Sequence, residues 1–259
     1  MSQSPDRSVA PKASGSRWKA LYIVGAVAAL VAVTLFRRNF GIEVMQFRGF
    51  GIIRGVPAEW PSSAMDWYTL LESNAFVGLI LLNVVDVANY GLVGLMFLAL
   101  YGALRRASKS AAVIATVCAV VGIGVYFASN QALALLSLSR QYAEAATDAQ
   151  RSVLLAAGES LLAIEHSSGA YQGTGVHMSF FLVVTAGLIA SLVMLRSSIF
   201  GRATAIVGIL ANGIRLCGFF TLVLTPSLYS LAIPISAPFR VTWYVLIAIG
   251  LFRLARRTP

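Results

Sequence analysis

The residues best placed for binding or proton chemistry interrupt two long apolar runs. In the stretch NVVDVANYG, Asn83, Asp86 and Tyr90 recur at helical spacing, which places them on one face of a helix. In a later run, Asn212 and Arg215 lie three residues apart and share a face in the same way. A carboxylate and a guanidinium carry opposite charges. The free-energy cost of placing both inside a bilayer is much lower when they pair than when they are apart. We therefore expect Asp86 and Arg215 to form a bidentate ion pair.

Two roles for this pair remain open. An ionisable residue inside a membrane is by default a candidate for ligand or proton binding. A buried pair can also serve only to fix the register of two helices. Asp86 lies near the middle of its apolar run, so we expect it at mid-depth, and Asn89 is expected to point to a different face. Glycines beside the pair should let helices approach closely: Gly91, Gly94, Gly208 and Gly213.

A second set of polar residues lies nearer the ends of other apolar runs. It comprises Asn130, Gln131, His177 and Arg240, and His177 is interpreted as a polar anchor where the fourth run begins. The chain has two histidines and no HExxH motif, so neither a metal nor another cofactor is expected. No G-x-S-x-G motif is present, and no catalytic residue is predicted. A non-enzymatic role is therefore favoured over catalysis.

The composition indicates the class of protein that holds these residues. Of 259 residues, 58% are hydrophobic and 12% are charged, with a mean hydropathy of +0.79. Soluble domains carry about 25% charged residues, so the chain is predicted to be an integral membrane protein whose partner is the lipid bilayer. The net charge of +10 does not indicate a nucleic-acid partner, because the basic residues cluster at the ends of apolar runs.

Six apolar runs approach or exceed the length of about 20 residues that a transmembrane helix needs. They are residues 19–36, 75–101, 111–138, 176–195, 203–225 and 238–256. We predict an all-α integral membrane bundle of six transmembrane helices over residues 19–256, preceded by a disordered cytoplasmic tail over residues 1–18. Between the third and fourth spans, residues 147–166 have apolar positions at helical spacing. They predict an extracytoplasmic amphipathic helix that lies on the surface or over the mouth of the bundle.

The basic residues also predict the orientation of the chain. The tail, the short turns after the second and fourth spans and the C-terminal end carry twelve basic residues, against six on the other side. Basic loops stay in the cytoplasm, so we expect a multipass protein of the cell membrane with both termini inside. No role is predicted for the long outer segment 37–74.

The second half of the sequence resembles a known family. The runs TDAQRSVLLAAGESLLAIEH and GTGVHMSFFLVVTAGLIASLVMLRSSIFGRATAIVGILANGI are similar to the uncharacterised bacterial and archaeal membrane family called domain of unknown function 4386. So is NVVDVANYGLVGLMFLALYGALRR. The resemblance covers about residues 70 to 255 and implies six or seven membrane helices, with an extracytoplasmic helix before the fourth span. It implies no activity and no functional residue.

These observations favour a bundle that binds or senses a small molecule or a lipid at the polar cluster around Asp86 and Arg215. Two alternatives remain: a small transporter or proton-coupled carrier, and a structural membrane protein with a register-fixing ion pair. A carrier would need a polar path on both sides of Asp86, and the apolar cytoplasmic halves of the spans count against it. The oligomeric state is left open.

Overall fold

A computed structural model describes residues 13–36, 57, 59, 61–165, 173–221 and 225–258. Most of the predicted tail (1–12) and much of the outer segment (37–56) lie outside the described residues. The described residues form ten helices: α1 (Ala13–Phe36), α2 (Ala64–Ser73), α3 (Ala75–Leu81), α4 (Val84–Leu104), α5 (Lys109–Ser129), α6 (Ala132–Glu144), α7 (Asp148–Glu165), α8 (Thr174–Met194), α9 (Arg202–Phe220) and α10 (Pro226–Arg257).

The predicted all-α bundle with six spans is confirmed. Among the described residues, six helical segments are long and apolar enough to cross a membrane: those of α1, α4, α5 continued by α6, α8, α9 and α10. No strand occurs in the part of the chain that the structure describes. The first helix begins at Ala13, inside the segment that was predicted to be a disordered tail.

Two of the predicted spans are interrupted by asparagines. The run 75–101 breaks where Asn83 adopts a left-handed conformation with φ 60° and ψ 24°, so the membrane-spanning helix α4 starts at Val84. Asparagine tolerates this conformation better than most residues do. The run 111–138 breaks at Asn130, whose backbone is extended and whose side-chain oxygen accepts a hydrogen bond from the Ala132 N–H at 3.2 Å. Apolar content alone does not reveal such breaks.

The six spans pack as a closed ring. In order around the ring, α1 contacts α4, α4 contacts α5, α5 contacts α8, α8 contacts α9, α9 contacts α10, and α10 returns to α1. Successive spans run in opposite directions, and the start of α1 meets the end of α4, where the Arg105 guanidinium lies 3.9 Å from the centre of the Trp18 ring. We call the end of the ring that holds Trp18 and Arg257 the termini end, and the opposite end the distal end.

The core of the termini half of the ring is mostly apolar, with Ser191 and Thr204 as buried polar exceptions. Fully buried residues from α4, α8 and α10 meet at its centre, among them Met96, Phe97, Met194, Ile247 and Leu251. Such close packing of large side chains excludes water from this half of the ring.

The remaining four helices, α2, α3, α6 and α7, form a second apolar cluster that we call the distal cap. Its buried centre includes Trp67, Tyr68, Leu71, Leu135 and Leu162. Within the described residues, two short connections join the cap to the ring, from α3 into α4 and from α5 into α6. Since α5 and α6 together span 36 residues, or about 54 Å as a helix, α6 extends beyond a hydrocarbon core of about 30 Å.

The predicted helix between the third and fourth spans is present as α7, Asp148–Glu165. The Thr147 hydroxyl accepts a hydrogen bond from the Gln150 N–H at 3.2 Å, and the Gln150 side chain accepts one from the Thr147 N–H at 3.3 Å. This reciprocal pair is a capping box, which fixes where the helix begins. The apolar face of α7 packs on α2 and α6, so α7 is part of the distal cap.

Close helix approach depends on two of the four expected glycines and on others. A Cβ atom at Gly208 would collide with Ser191 and Trp243, and one at Gly187 would collide with the Asn212 amide. A Cβ atom at Gly94 would lie 3.3 Å from Ile123. By contrast, a Cβ atom at Gly91 or Gly213 would meet nothing within 4 Å, so the prediction holds for Gly208 and Gly94 and is wrong for the other two.

Candidate functional site

A cavity of about 150 Å³ lies between the spans in the distal half of the ring. Among the described residues, four of the six spans contribute to its wall, and three of the lining side chains are charged. The lining residues are Asp86, Asn89, Tyr90, Val93, Phe180, Val183, Val184, Arg215, Ile233, Ser236, Arg240 and Tyr244.

One stripe of α4 supplies a third of this wall. Asp86, Asn89, Tyr90 and Val93 follow the i, i+3, i+4, i+7 pattern of one helix face. The expectation that Asn89 points elsewhere is therefore wrong. Asn83 lies outside the regular helix, so it does not belong to the face that Asp86 and Tyr90 share.

Asp86 lies close to the distal end of its span rather than at mid-depth. Because α4 starts at Val84, Asp86 is in its first turn, which corrects the expected depth. A carboxylate is favoured there, since the unpaired N–H groups at a helix N-terminus carry a partial positive charge. Arg215 lies five residues before α9 ends at Phe220, so both charged groups belong to the distal half of the ring.

Aromatic rings support the acid and one arginine. The Tyr126 hydroxyl donates a long hydrogen bond of 3.5 Å to the Asp86 carboxylate. The Tyr126 ring stacks on Tyr90, with centres 4.1 Å apart and planes 7° from parallel. The Arg215 guanidinium lies 5.8 Å from the centre of the Phe180 ring, within the range of a cation–π contact. These rings restrict the positions that the charged groups can take.

The structure brings Asp86 and Arg215 to the same cavity and adds a third charged group. Both residues line it, and their direct pairing stays a prediction. Arg240, which the sequence grouped with the second polar set, also lines it. The sequence placed the start of the sixth span at Pro238, whereas α10 begins at Pro226 and continues through Pro234 and Pro238. Arg240 is therefore inside the span rather than at its beginning.

Two residues of the predicted cluster serve other purposes. Asn212 is buried, donates a hydrogen bond to the Gly208 carbonyl at 2.8 Å, and packs against Gly187 where α8 meets α9. Asn83 forms the break before α4 and is exposed. Among the described residues that line the cavity, neither asparagine is present.

The second polar set is dispersed. Asn130 caps α6, and Gln131 is the residue immediately before that helix. His177 is buried in the first turn of α8, where its Nδ1 lies 3.4 Å from the Gly173 carbonyl and its ring centre lies 6.2 Å from that of Phe219. It faces the protein interior rather than an interface with water.

Buried polar atoms in the cavity wall indicate what the site can hold. The Asn89 side chain is 4% exposed, and its Oδ1 accepts no hydrogen bond from the described residues. The Ser236 hydroxyl is 2% exposed and donates to the Ile233 carbonyl at 3.0 Å. A buried acceptor that lacks a donor costs about 1–3 kcal/mol, so a bound group that donates to Asn89 would be stabilised.

The described residues contain no group of three or more His, Cys, Asp or Glu side chains that could hold a metal ion. The cavity instead offers two guanidinium groups, one carboxylate and a buried amide against aromatic and aliphatic walls. Such groups are suited to binding and orienting a ligand by charge and hydrogen bonding.

Comparison with known protein families, curated proteins and solved structures finds no match to this chain. The resemblance to the family called domain of unknown function 4386 stays a prediction.

Proposed function

We propose that the protein is a non-enzymatic membrane bundle that binds or senses a small molecule or a lipid in the cavity lined by Asp86, Arg215 and Arg240. The observation that carries this proposal is the convergence of charged groups from three different spans on one cavity. Charged residues within spans are costly, and they are commonly found where a ligand or ion is bound.

The apolar core supports binding over transport. Toward the termini end, Met96 and Phe97 follow Val93 by one helical turn and are buried. Ile247 follows Tyr244 by one turn and is also buried. A carrier needs polar groups along a path to both faces of the membrane. The described centre of the termini half is mostly apolar, with Ser191 and Thr204 as buried polar exceptions, which supports a closed floor to the cavity on that side.

The charge distribution supports an orientation for this site. Basic residues of the described turns at the termini end include Arg105, Arg106, Arg196 and Arg202. Basic residues are retained in the cytoplasm, so both termini are cytoplasmic in this proposal. The distal cap and the nearer end of the cavity then face the outside of the cell membrane.

Native mass spectrometry of the protein purified in mild detergent tests the proposal. Ile233 lines the cavity and is 37% exposed, so Ile233→Trp should fill the cavity without disturbing the apolar core. Ile235 lies on the same helix, is 52% exposed and does not line the cavity among the described residues, which makes Ile235→Trp a matched control.

The expected result is a discrete mass retained by the wild-type protein and by Ile235→Trp, and lost in Ile233→Trp. If all three proteins retain the same masses, or retain none, the cavity is not a binding site. The charged groups would then act to fix the register of the helices.

A further inference from the structure

The charge of the cavity wall specifies the chemical class of the ligand. Among the described lining residues, Arg215 and Arg240 carry two positive charges and Asp86 carries one negative charge. Arginine stays protonated at any physiological pH, so the positive charges are permanent. The remaining lining side chains are uncharged, and the wall therefore has a net positive charge.

Building on the proposed function, we propose that the bound group is a small oxyanion, a carboxylate or a phosphate group, held by Arg215 and Arg240. A planar guanidinium donates two parallel hydrogen bonds to either group, and the negative charge of the acceptor makes both bonds stronger than those to a neutral ligand. The two arginines come from different spans, α9 and α10, which are neighbours in the ring. An anion between them would connect these two helices.

Asn89 extends the inference to the part of the ligand beside the anionic group. Its buried Oδ1 lines the same cavity and accepts no hydrogen bond from the described residues. A hydroxyl or amine next to the oxyanion would supply the missing donor. The cavity of about 150 Å³ has room for such a head group.

Binding of defined probes to the full chain in nanodiscs of neutral phosphatidylcholine tests this assignment. Acetate and inorganic phosphate are the anionic probes, and acetamide and methylammonium are the neutral and cationic comparisons. We expect an anion to bind saturably, with Kd raised at least tenfold in Arg240→Gln and in Arg215→Gln. Asp86→Asn removes the competing carboxylate and should lower Kd several-fold.

Arg202→Gln is the matched control, because it removes the same charge from the exposed termini end of α9. It should leave Kd unchanged. Arg240→Lys keeps the positive charge but lacks the planar guanidinium. Its Kd should fall between those of the wild type and Arg240→Gln. This variant keeps the test decisive if Arg240→Gln does not fold.

Nanodiscs that contain phosphatidic acid separate a lipid source from a soluble one. If the anion is a lipid head group, native mass spectrometry should show one phosphatidic acid retained by the wild type and lost in Arg240→Gln. If it is soluble, acetate or phosphate should bind equally in both kinds of nanodisc.

Three outcomes would overturn the inference. Retention of a neutral or cationic molecule that Ile233→Trp removes would leave the proposed function standing and refute the anionic ligand. Anion binding that is equally affected by Arg240→Gln and Arg202→Gln would show that the attraction is general to the protein surface. If no probe binds and no mass is retained at the cavity, the proposed function fails together with this inference.

Discussion

The Tyr126 hydroxyl approaches the Asp86 carboxylate to 3.5 Å while the Tyr126 ring stacks on Tyr90. This distance is at the outer limit of a hydrogen bond, whereas the ring is buried among its neighbours. Tyr126→Phe should therefore lower the free energy of unfolding by less than about 1 kcal/mol. Tyr126→Ala should lower it by about 3–5 kcal/mol, the cost of deleting a buried aromatic ring.

Denaturant unfolding in mixed micelles, followed by circular dichroism, measures both variants. Equal losses in Tyr126→Phe and Tyr126→Ala would mean that the hydroxyl, rather than the ring, holds the Asp86 region together.

Removing the one acid of the described cavity wall should destabilise the protein, and removing an arginine as well should restore it. Asp86→Asn leaves Arg215 and Arg240 in the same cavity without a carboxylate. We expect the free energy of unfolding to fall by about 1–3 kcal/mol, the range for a charged group that loses its partner in a partly buried site. Adding Arg240→Gln should recover at least half of that loss, because it removes one of the two like charges.

Thermal unfolding at low anion concentration measures this recovery of stability. The control is Arg202→Gln in the Asp86→Asn background, which should restore no stability. If Asp86→Asn and Arg215→Gln are each as heat-stable as wild type, the predicted pairing of Asp86 and Arg215 is incorrect.

The sequence predicted the bundle and two of the three charged cavity residues because both follow from local composition. Apolar length predicts spans, and a charge within such a length is conspicuous. The sequence did not reveal that Asn83 and Asn130 interrupt the helices, because a single asparagine in an apolar run is equally typical of a buried polar residue within a helix. The break at Asn83 shifted the expected depth of Asp86 and the expected direction of Asn89.

Arg240 was separated from the cluster for a related reason. Pro238 marked a helix start by the usual rule, yet α10 continues through it. Which spans are neighbours in the ring depends on packing between distant segments, and the spacing of residues within one segment carries no such information. This is why Tyr126, Phe180 and Tyr244 were not predicted as parts of the site.

Glycine-to-alanine substitutions should separate tight helix contacts from open positions. Gly208→Ala would press a methyl group against Ser191 and Trp243, which should cost about 1–3 kcal/mol of stability. Gly91 is also within a span, but a Cβ atom there meets nothing within 4 Å. Gly91→Ala should therefore be neutral or stabilising by up to about 1 kcal/mol, since alanine favours helix.

Melting temperatures of the two glycine variants in the same detergent provide the comparison. Equal destabilisation by both would argue against the close approach of α9 to its neighbours at Gly208.

The start of α2 should be sensitive to acid. The Asp66 carboxylate accepts hydrogen bonds from the Ser62 and Ser63 N–H groups, each at 3.1 Å. Hydrogen bonding with Ser63 and then with Ser62 lowers the pKa of Asp66 below its usual value. A lowered pKa in the folded state stabilises α2 above the unfolded-state pKa of about 3.9, and this stabilisation is lost as the pH falls through the folded-state value.

Hydrogen exchange of the α2 amides between pH 3 and pH 6 should therefore accelerate toward the acidic end, beyond the intrinsic pH dependence of exchange. Asp66→Asn should remove this extra acceleration, and Ser63→Ala should shift it to higher pH. An α2 that responds to pH in the same way with Asn at position 66 would assign the effect to another group.

The attachment of α7 to α2 should depend on Glu159. Its carboxylate accepts a hydrogen bond of 2.7 Å from the Ala64 N–H, at the N-terminus of α2, and the Tyr68 hydroxyl donates to the Leu154 carbonyl at 2.8 Å beside it. A carboxylate in this position satisfies an otherwise unpaired N–H and interacts favourably with the helix dipole. Glu159→Ala should cost about 1–2 kcal/mol, the range for a hydrogen bond to a charged group that is partly exposed.

The loss should be confined to the distal cap. We expect faster hydrogen exchange in α2 and α7 and unchanged exchange in α4, α8 and α10. Glu72→Ala removes an exposed acid from α2, the helix that Glu159 contacts, and serves as the control. If exchange accelerates throughout the ring as well, the cap and the ring unfold as one cooperative unit, and the short connections into α4 and α6 transmit stability between them.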